Sequence, residues 1–205
     1  MGNLTKLVTL GVAIFGSTVA QAMPTPGRFD VLGVKLFTTQ ASARALLIKA
    51  GLKPNPSGSY ACSPTYEAYI AKKIATKTKA DGMPSCQDQA RNANSRVTVE
   101  YTLTPDGYVV SKIKYNFGST ESAEAIVARL TDKFGAPTDT GSTPIWKSST
   151  SDRGMFNNEP ALFYRTFADG THNVELGAGS NSYRQISDGV NIDLSRRMGS
   201  SKVAL

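Results

Sequence analysis

The sequence predicts an α+β protein in which helices pack on an antiparallel β-sheet. Some segments carry apolar residues at helical spacing, and others alternate apolar and polar residues as strands do. Asp-Gly occurs twice between strand-like segments, at Asp106-Gly107 and Asp169-Gly170, where it favours a hairpin turn. A helix precedes each hairpin, so the chain is predicted to contain two tandem helix-plus-hairpin repeats.

The first half opens with FDVLGVKLFTT, residues 29–39, whose alternation predicts a short strand or an extended entry segment. A helix of about three turns is predicted from Gln40 to Ala50. Thr38 or Thr39 can cap its first turn, and Gly51 ends it. The apolar residues at helical spacing are Ala43, Leu46, Leu47 and Ala50.

A second helix is predicted between the two cysteines, over residues 65–80. Ser63 can cap it, and Pro64 suits the first helical position. Its apolar stripe consists of Tyr66, Tyr69, Ile70 and Ile74, and its lysines, mostly off that stripe, are Lys72, Lys73, Lys77 and Lys79. The pattern is a basic amphipathic helix: either a solvated lysine face over a packing stripe, or a surface for anionic lipid or an acidic partner.

The hairpin around Asp106-Gly107 is predicted to have one buried face. One strand directs Val97, Val99, Tyr101 and Leu103 to that face, and the return strand continues it with Val109, Ile113, Tyr115 and Phe117. Lys112 and Lys114 are predicted to lie on the opposite face of the return strand. Gly107 is the turn residue that adopts positive φ.

The second half begins with a helix ending before Gly135 and Pro137. Its apolar positions are Ala123, Ile126, Val127, Leu130 and Phe134. The segments PIWKSS, ALFYRTF, THNVELGAG and GVNIDLSR are predicted to be strands. Glycine-rich GAGSNS, residues 177–182, is expected to follow a strand without opening a helix.

The first 22 residues resemble a secretory signal, with Lys6, an apolar run and a small-x-small site ending at Ala22. No cysteine lies near that site, so the chain is not expected to be a lipoprotein. The predicted divisions are the signal peptide (1–22), a first α/β half with a disulfide-bounded helical insert (23–118), a second half (119–196) and a flexible tail (197–205). We expect a periplasmic or secreted protein.

Cys62 and Cys86 are the only cysteines, and an even number in an oxidising compartment predicts one disulfide. In the chain-entropy account, closing this loop stabilises the fold by about 3 kcal/mol.

Few residues are available for catalysis. His172 is the only histidine, so a serine triad, a cysteine dyad or a zinc site lacks partners, and no cofactor is expected. A hydrolase using two carboxylates is the least favoured alternative; its candidate acids are Glu100, Glu159, Glu175 and Asp193. The net charge of +7 favours acidic partners or anionic surfaces, and the export signal disfavours nucleic acid.

The loop from Ser151 to Pro160 is the candidate protein-binding segment. It combines a charge pair with two large apolar groups, at Asp152, Arg153, Met155 and Phe156. Arginine and aromatic residues are common anchors at interfaces. The alternative is that Phe156 folds back onto its own domain. Tyr60, Tyr66 and Tyr69 are a second candidate surface, for which packing is the other explanation.

GVKLFTTQASARALLIKAGLKP, residues 33–54, resembles the Gly-x-x-x-Thr-helix-Gly segment of the SmpA/OmlA and beta-lactamase-inhibitor-like (BLIP-like) superfamily of small exported bacterial α/β modules. Phe134-Gly135-Ala136-Pro137 followed by Ile145-Trp146 is similar to their helix exit and first strand. Phe37 stands where glycine is common, and the lysine helix has no counterpart. The resemblance implies helices on an antiparallel sheet and an exported protein that binds other proteins.

The leading functional hypothesis is therefore a non-enzymatic module, such as an inhibitor or envelope accessory protein, whose partner is another exported or envelope protein. The second is a binder of anionic lipid or cell-wall polymer through the basic helix 65–80.

Overall fold

The computed structural model describes residues 27–118, 120–147 and 158–200. In these ranges the protein has the predicted α+β fold, with helices packed on antiparallel sheet. The predicted signal peptide and the end of the predicted tail, residues 201–205, lie outside the described ranges.

Three of the four described helices begin at a Ser or Thr cap. The helices are α1 (Gln40–Lys49), α2 (Tyr66–Thr76), α3 (Ala123–Phe134) and α4 (Gly179–Ser200). The caps of α1, α2 and α3 are Thr39, Thr65 and Ser122, whose hydroxyls accept from the backbone N–H three residues later. The prediction of Ser63 as the α2 cap was wrong: Thr65 provides the hydroxyl that reaches Ala68, so Pro64 lies before the helix.

The described strands form a two-stranded and a seven-stranded sheet. They are β1 (Asp30–Val31), β2 (Val34–Lys35), β3 (Lys53–Pro54), β4 (Ser85–Arg91), β5 (Ser95–Thr104), β6 (Gly107–Gly118), β7 (Ile145–Lys147), β8 (Ala161–Thr166) and β9 (Thr171–Gly177). Between β3 and α2 lies a short 3-10 turn, Pro56–Gly58.

The seven strands follow the order β3-β4-β5-β6-β9-β8-β7, and every neighbouring pair is antiparallel. Both predicted hairpins, β5–β6 and β8–β9, are confirmed, and their inner strands β6 and β9 pair with each other. Gly107 has φ +102° and Gly170 has φ +77° at the two turns. Strand β4 was not predicted, because SCQDQAR has few of the β-branched and aromatic residues that usually indicate a strand.

The main core lies between one face of the large sheet and helices α1 and α3. The helices contribute Ala43, Leu47, Ile126 and Phe134, and the sheet contributes Val97, Val99, Tyr101, Ile113, Trp146, Leu162 and Leu176. A second buried cluster joins α2 and α4 to the end of β5 through Tyr66, Tyr69, Ile70, Leu103, Val190 and Leu194. These two clusters hold all four helices against the sheet or against each other.

The prediction that GVNIDLSR forms a strand was wrong, because it lies inside α4. Val190, Ile192 and Leu194 alternate as strand residues do, but the helix places Val190 and Leu194 in the core and leaves Ile192 55% exposed. GAGSNS likewise was wrongly predicted not to open a helix, since α4 begins at Gly179. The helix extends to Ser200, past the predicted boundary at 197.

Candidate functional site

The predicted disulfide is confirmed: Cys62 is bonded to Cys86. The bond ties the segment before α2 to strand β4. The Gln40 side-chain amide on α1 lies 3.0 Å from the Cys62 sulfur, so three segments meet there.

The lysine helix α2 is packed on its apolar side. Tyr66, Tyr69 and Ile70 are buried in the cluster that includes α4, as the stripe predicts. Lys72, Lys77 and Lys79 are exposed, whereas Lys73 pairs with Asp81 at 3.0 Å and lies over the Tyr69 ring. An amphipathic helix inserts into a bilayer through its apolar face. Because α4 occupies that face here, only the lysine side is open to an anionic surface.

The predicted protein-binding loop residues Asp152, Arg153, Met155 and Phe156 lie outside the described residues. Among the three candidate surface tyrosines, Tyr66 and Tyr69 are core residues, and Tyr60 is 68% exposed. Tyr60 lies beside strand β4, where its N–H donates to the Gln87 carbonyl at 2.8 Å.

His172, the only histidine, is buried. Its Nδ1 lies 2.8 Å from the Tyr164 hydroxyl, which also accepts from Thr166. The acids considered for hydrolysis each have a structural partner: Glu100 with Lys114, Glu175 with Lys112, Glu159 with Asn181, and Asp193 with Tyr66 and Arg197. Within the described ranges, no three His, Cys, Asp or Glu residues are grouped to hold a metal ion.

A pocket of about 330 Å³ lies between α1, the 3-10 turn and β4. Its apolar walls come from Leu47, Ile48, Pro54, Pro56 and Ala90, and its polar lining from Arg44, Ser59, Asp88 and Gln89. Ile48 is 58% exposed at this pocket, although it is a large apolar side chain. Tyr60 directly follows the lining residue Ser59.

Arg44 and Asp88 form the charged part of the pocket. The Arg44 guanidinium donates from Nε to Oδ2 of Asp88 at 2.7 Å and from Nη2 to Oδ1 at 2.8 Å. Gln40 donates to the same carboxylate at 3.1 Å. Burial by itself raises the pKa of Asp88, but the hydrogen bonds from Arg44 and Gln40 outweigh it and leave that pKa below its ordinary value. Asp88 is therefore a buried anion held in its charged form.

Tyr101 lies behind this ion pair and is fully buried. Its hydroxyl makes no hydrogen bond of ordinary geometry in the described part of the chain. Burial and the nearby negative charge of Asp88 raise the pKa of Tyr101, so the hydroxyl stays protonated.

The opposite face of the large sheet is polar and partly exposed. At its centre, Lys114 and Glu100 lie 3.5 Å apart and Lys112 and Glu175 lie 3.8 Å apart. The prediction that Lys112 and Lys114 lie opposite the buried face is confirmed. Antiparallel sheets commonly have one packed and one solvated face, and this sheet follows that rule.

No protein-family model, curated protein or solved structure matches this chain. Across the described residues, the helices are too short or too polar to cross a membrane. The functional assignment therefore depends on the surfaces described above.

Sequence reasoning missed the pocket because it missed β4. Asp88 belongs to a polar segment that was not recognised as a strand, and Arg44 lies on the polar side of a predicted helix. The alternation of Cys86, Asp88 and Ala90 on the buried side was the available signal.

Proposed function

We propose that this protein is an exported, non-enzymatic module that binds another protein, and that the pocket beside α1 receives an apolar anchor side chain of the partner. The observation that carries the proposal is the exposed Ile48 at an apolar pocket of about 330 Å³. Interface hot spots form where an apolar or aromatic anchor enters a preformed pocket.

The residues around the pocket have the composition of an interface centre. Ile48, which lines the pocket, is 58% exposed; Tyr60, at 68% exposed, follows the lining residue Ser59 but does not itself line the pocket. The Arg44 side chain is 55% exposed, and its pairing with Asp88 leaves guanidinium N–H groups for a partner's carbonyl or carboxylate. Tyrosine and arginine are enriched at hot spots, and truncating such residues weakens binding strongly.

The charges at the rim favour an acidic partner. Lys49 ends α1, is exposed and directly follows the pocket residue Ile48, so a second cation adjoins the pocket besides Arg44. Complementary charge increases the association rate and selects the partner. We therefore expect the partner to present an apolar anchor side chain that is surrounded by carboxylate groups.

The test is a pull-down from envelope and secreted extracts with the purified protein, followed by affinity measurement with the purified partner. Ile48→Glu is the test variant, and Ile192→Glu, at a similarly exposed isoleucine on α4, is the matched control. We expect Ile192→Glu to retain a stoichiometric protein that Ile48→Glu loses, with affinity lowered about thirtyfold, the scale of a hot-spot residue.

Retention of that protein by Ile48→Glu, or the absence of any stoichiometric protein, contradicts the proposal. Arg153→Ala and Phe156→Ala, measured in parallel, test the binding loop predicted from the sequence. Circular dichroism spectra establish that each variant is folded.

A further inference from the structure

One row of side chains crosses the polar face of the large sheet at right angles to the strands. Strand register places its members directly opposite one another on successive strands, in the order Lys53, Arg91, Arg96, Asn116, Asn173 and Arg165. Directly opposite residues of antiparallel strands lie on the same face. Five strand spacings of about 4.8 Å make this cationic row about 24 Å long.

The cationic row holds four positive charges and two amides, without a carboxylate. The next rows of the same face are balanced, since Lys112 and Lys114 pair with Glu175 and Glu100. Within the described residues, Lys53, Arg91, Arg96 and Arg165 take part in no ion pair. Like charges directly opposite each other destabilise a sheet. An anion lying along the row relieves this repulsion.

Two pockets adjoin Arg91, and neither contains an acidic residue. One, of about 420 Å³, has Arg91, Arg96, Asn92, Asn94, Asn116 and Phe117 in its lining, together with the hydroxyl groups of a serine and a threonine. The other, of about 540 Å³, is lined by Gly51, Lys53, Pro54, Arg91, Asn92 and Ala93. The surface around this end of the row thus presents arginine guanidinium groups, side-chain amides, hydroxyl groups and one aromatic ring.

We infer that the cationic row binds an acidic polysaccharide lying across the strands. Arginine guanidinium matches the geometry of carboxylate or sulfate in two-point hydrogen bonds. Asn92, Asn94 and Asn116 supply amide N–H donors, which suit sugar hydroxyls; the Asn92 oxygen already accepts from the Asn94 N–H and the Ser95 hydroxyl. An acidic polypeptide also satisfies the arginines and offers peptide groups to these amides, so polyglutamate is the competing polymer in the test.

The amides are already ordered by a hydrogen bond. Asn173 Nδ2 donates to Asn116 Oδ1 at 2.9 Å, and Asn173 is buried. This contact fixes the middle of the row and leaves the flanking arginines exposed on both sides. A linear ligand therefore meets charges at Arg91 and Arg96, then the half-buried Asn116 amide, then a further charge at Arg165. The inference concerns a different surface from the pocket beside α1 and does not depend on the proposed function.

The test measures binding of the purified protein to polygalacturonate and to dextran sulfate, with uncharged dextran as the neutral polymer. We expect binding at about 50 mM NaCl that weakens at about 500 mM, and none to dextran, because exposed charges are screened by salt. Arg91→Gln combined with Arg96→Gln should lower the affinity about tenfold or more, since charge-assisted hydrogen bonds are lost.

The matched control is Lys72→Gln combined with Lys77→Gln, which removes the same charge from α2 and the residue that follows it. It should leave polysaccharide affinity within about twofold, as expected for charges off the ligand path. The row assignment is overturned if the lysine variant loses binding and the arginine variant keeps it, or if neither acidic polymer binds at low salt. Polyglutamate is the acidic polypeptide in the same assay. If it binds as tightly as polygalacturonate and dextran sulfate, or more tightly, the choice of a polysaccharide is overturned. The Ile48→Glu variant should bind both acidic polymers with the affinity of the wild type. Failure of this inference can therefore be distinguished from failure of the proposed protein-binding function.

Discussion

The guanidinium of Arg44 and the carboxylate of Asp88 form a two-point ion pair that joins α1 to the buried side of β4. Asp88 is only 7% exposed, so the pair lies at the boundary between core and solvent. The pKa of Asp88 is lower in the folded protein than in the unfolded chain. The charge on Asp88 therefore contributes its full stabilisation at pH values above the ordinary carboxyl pKa of about 4. This contribution is lost as the pH falls through the lower pKa that Asp88 has in the folded protein.

Arg44→Met should destabilise the protein by about 1 kcal/mol at pH 7, a value reduced for the exposure of the arginine. Without Arg44, burial raises the pKa of Asp88, so the carboxyl group of the variant takes up a proton on acidification and the loss should be smaller at pH 3 than at pH 7. Urea unfolding at both pH values measures the difference. Arg129→Met, which breaks the exposed pair with Glu121, is the control and should change stability by less than about 0.5 kcal/mol at either pH. An equal loss for Arg44→Met at pH 3 and pH 7 would show that Asp88 is not held as an anion.

Replacing Cys62 and Cys86 together by alanine should lower the free energy of unfolding by about 3 kcal/mol, because a loop with a sequence separation of 24 is no longer closed. The core between α1, α3 and the sheet remains, so the variant should still fold. Denaturation with and without a thiol reductant is the measurement. Reductant should bring the wild-type protein to the stability of the variant and leave the variant unchanged; a wild type insensitive to full reduction refutes the stabilising role.

Gly179→Ala should destabilise by about 2 kcal/mol or more, through both backbone strain and a steric clash. Gly179 has φ +76°, and an added Cβ would lie 2.6 Å from the Asn158 carbonyl oxygen and 2.6 Å from the Glu159 carbonyl carbon. Gly107→Ala is the comparison, because Gly107 has φ +102° with open space around its Cα. It should lose only about 1 kcal/mol from strain. Thermal unfolding of both variants measures the two losses of stability. Equal losses would mean that the backbone at Asn158 and Glu159 moves away from the added Cβ at no cost in free energy.

Leu194→Ala should cost about 3 kcal/mol, since it opens a cavity between α2 and α4 in the second buried cluster. Ile192→Ala, two residues away on the exposed side of α4, should change stability by less than about 0.5 kcal/mol. The comparison also tests the helical assignment. In a strand, residues 192 and 194 would lie on the same face. Ile192 and Leu194 would then be buried to a similar extent. Similar losses for the two variants would favour that arrangement.

Much of the secondary structure could be predicted because its signals are local. Thr39 and Ser122 cap helices whose apolar residues recur at three and four, and Asp106-Gly107 turns a hairpin whose alternation is clear. The Cys62–Cys86 bond followed from their number and the expected compartment. Strand β4 and helix α4 were missed because SCQDQAR has weak strand propensity, and GVNIDLSR fits two periods equally well.

By itself, the sequence determined the α+β class, helices α1 to α3, both hairpins and the disulfide, since each depends on residues close in the chain or on a simple count. Only the tertiary structure decided that GVNIDLSR is helical, because α2 offers a partner for Val190 and Leu194 on one helix face. It also placed Asp88 against Arg44, and Lys53, Arg91, Arg96 and Arg165 in one row. Such groupings depend on helix packing, strand order and register, which bring together residues 44 positions apart in the ion pair and as many as 112 positions apart (165 − 53) in the row; no short stretch of sequence contains them.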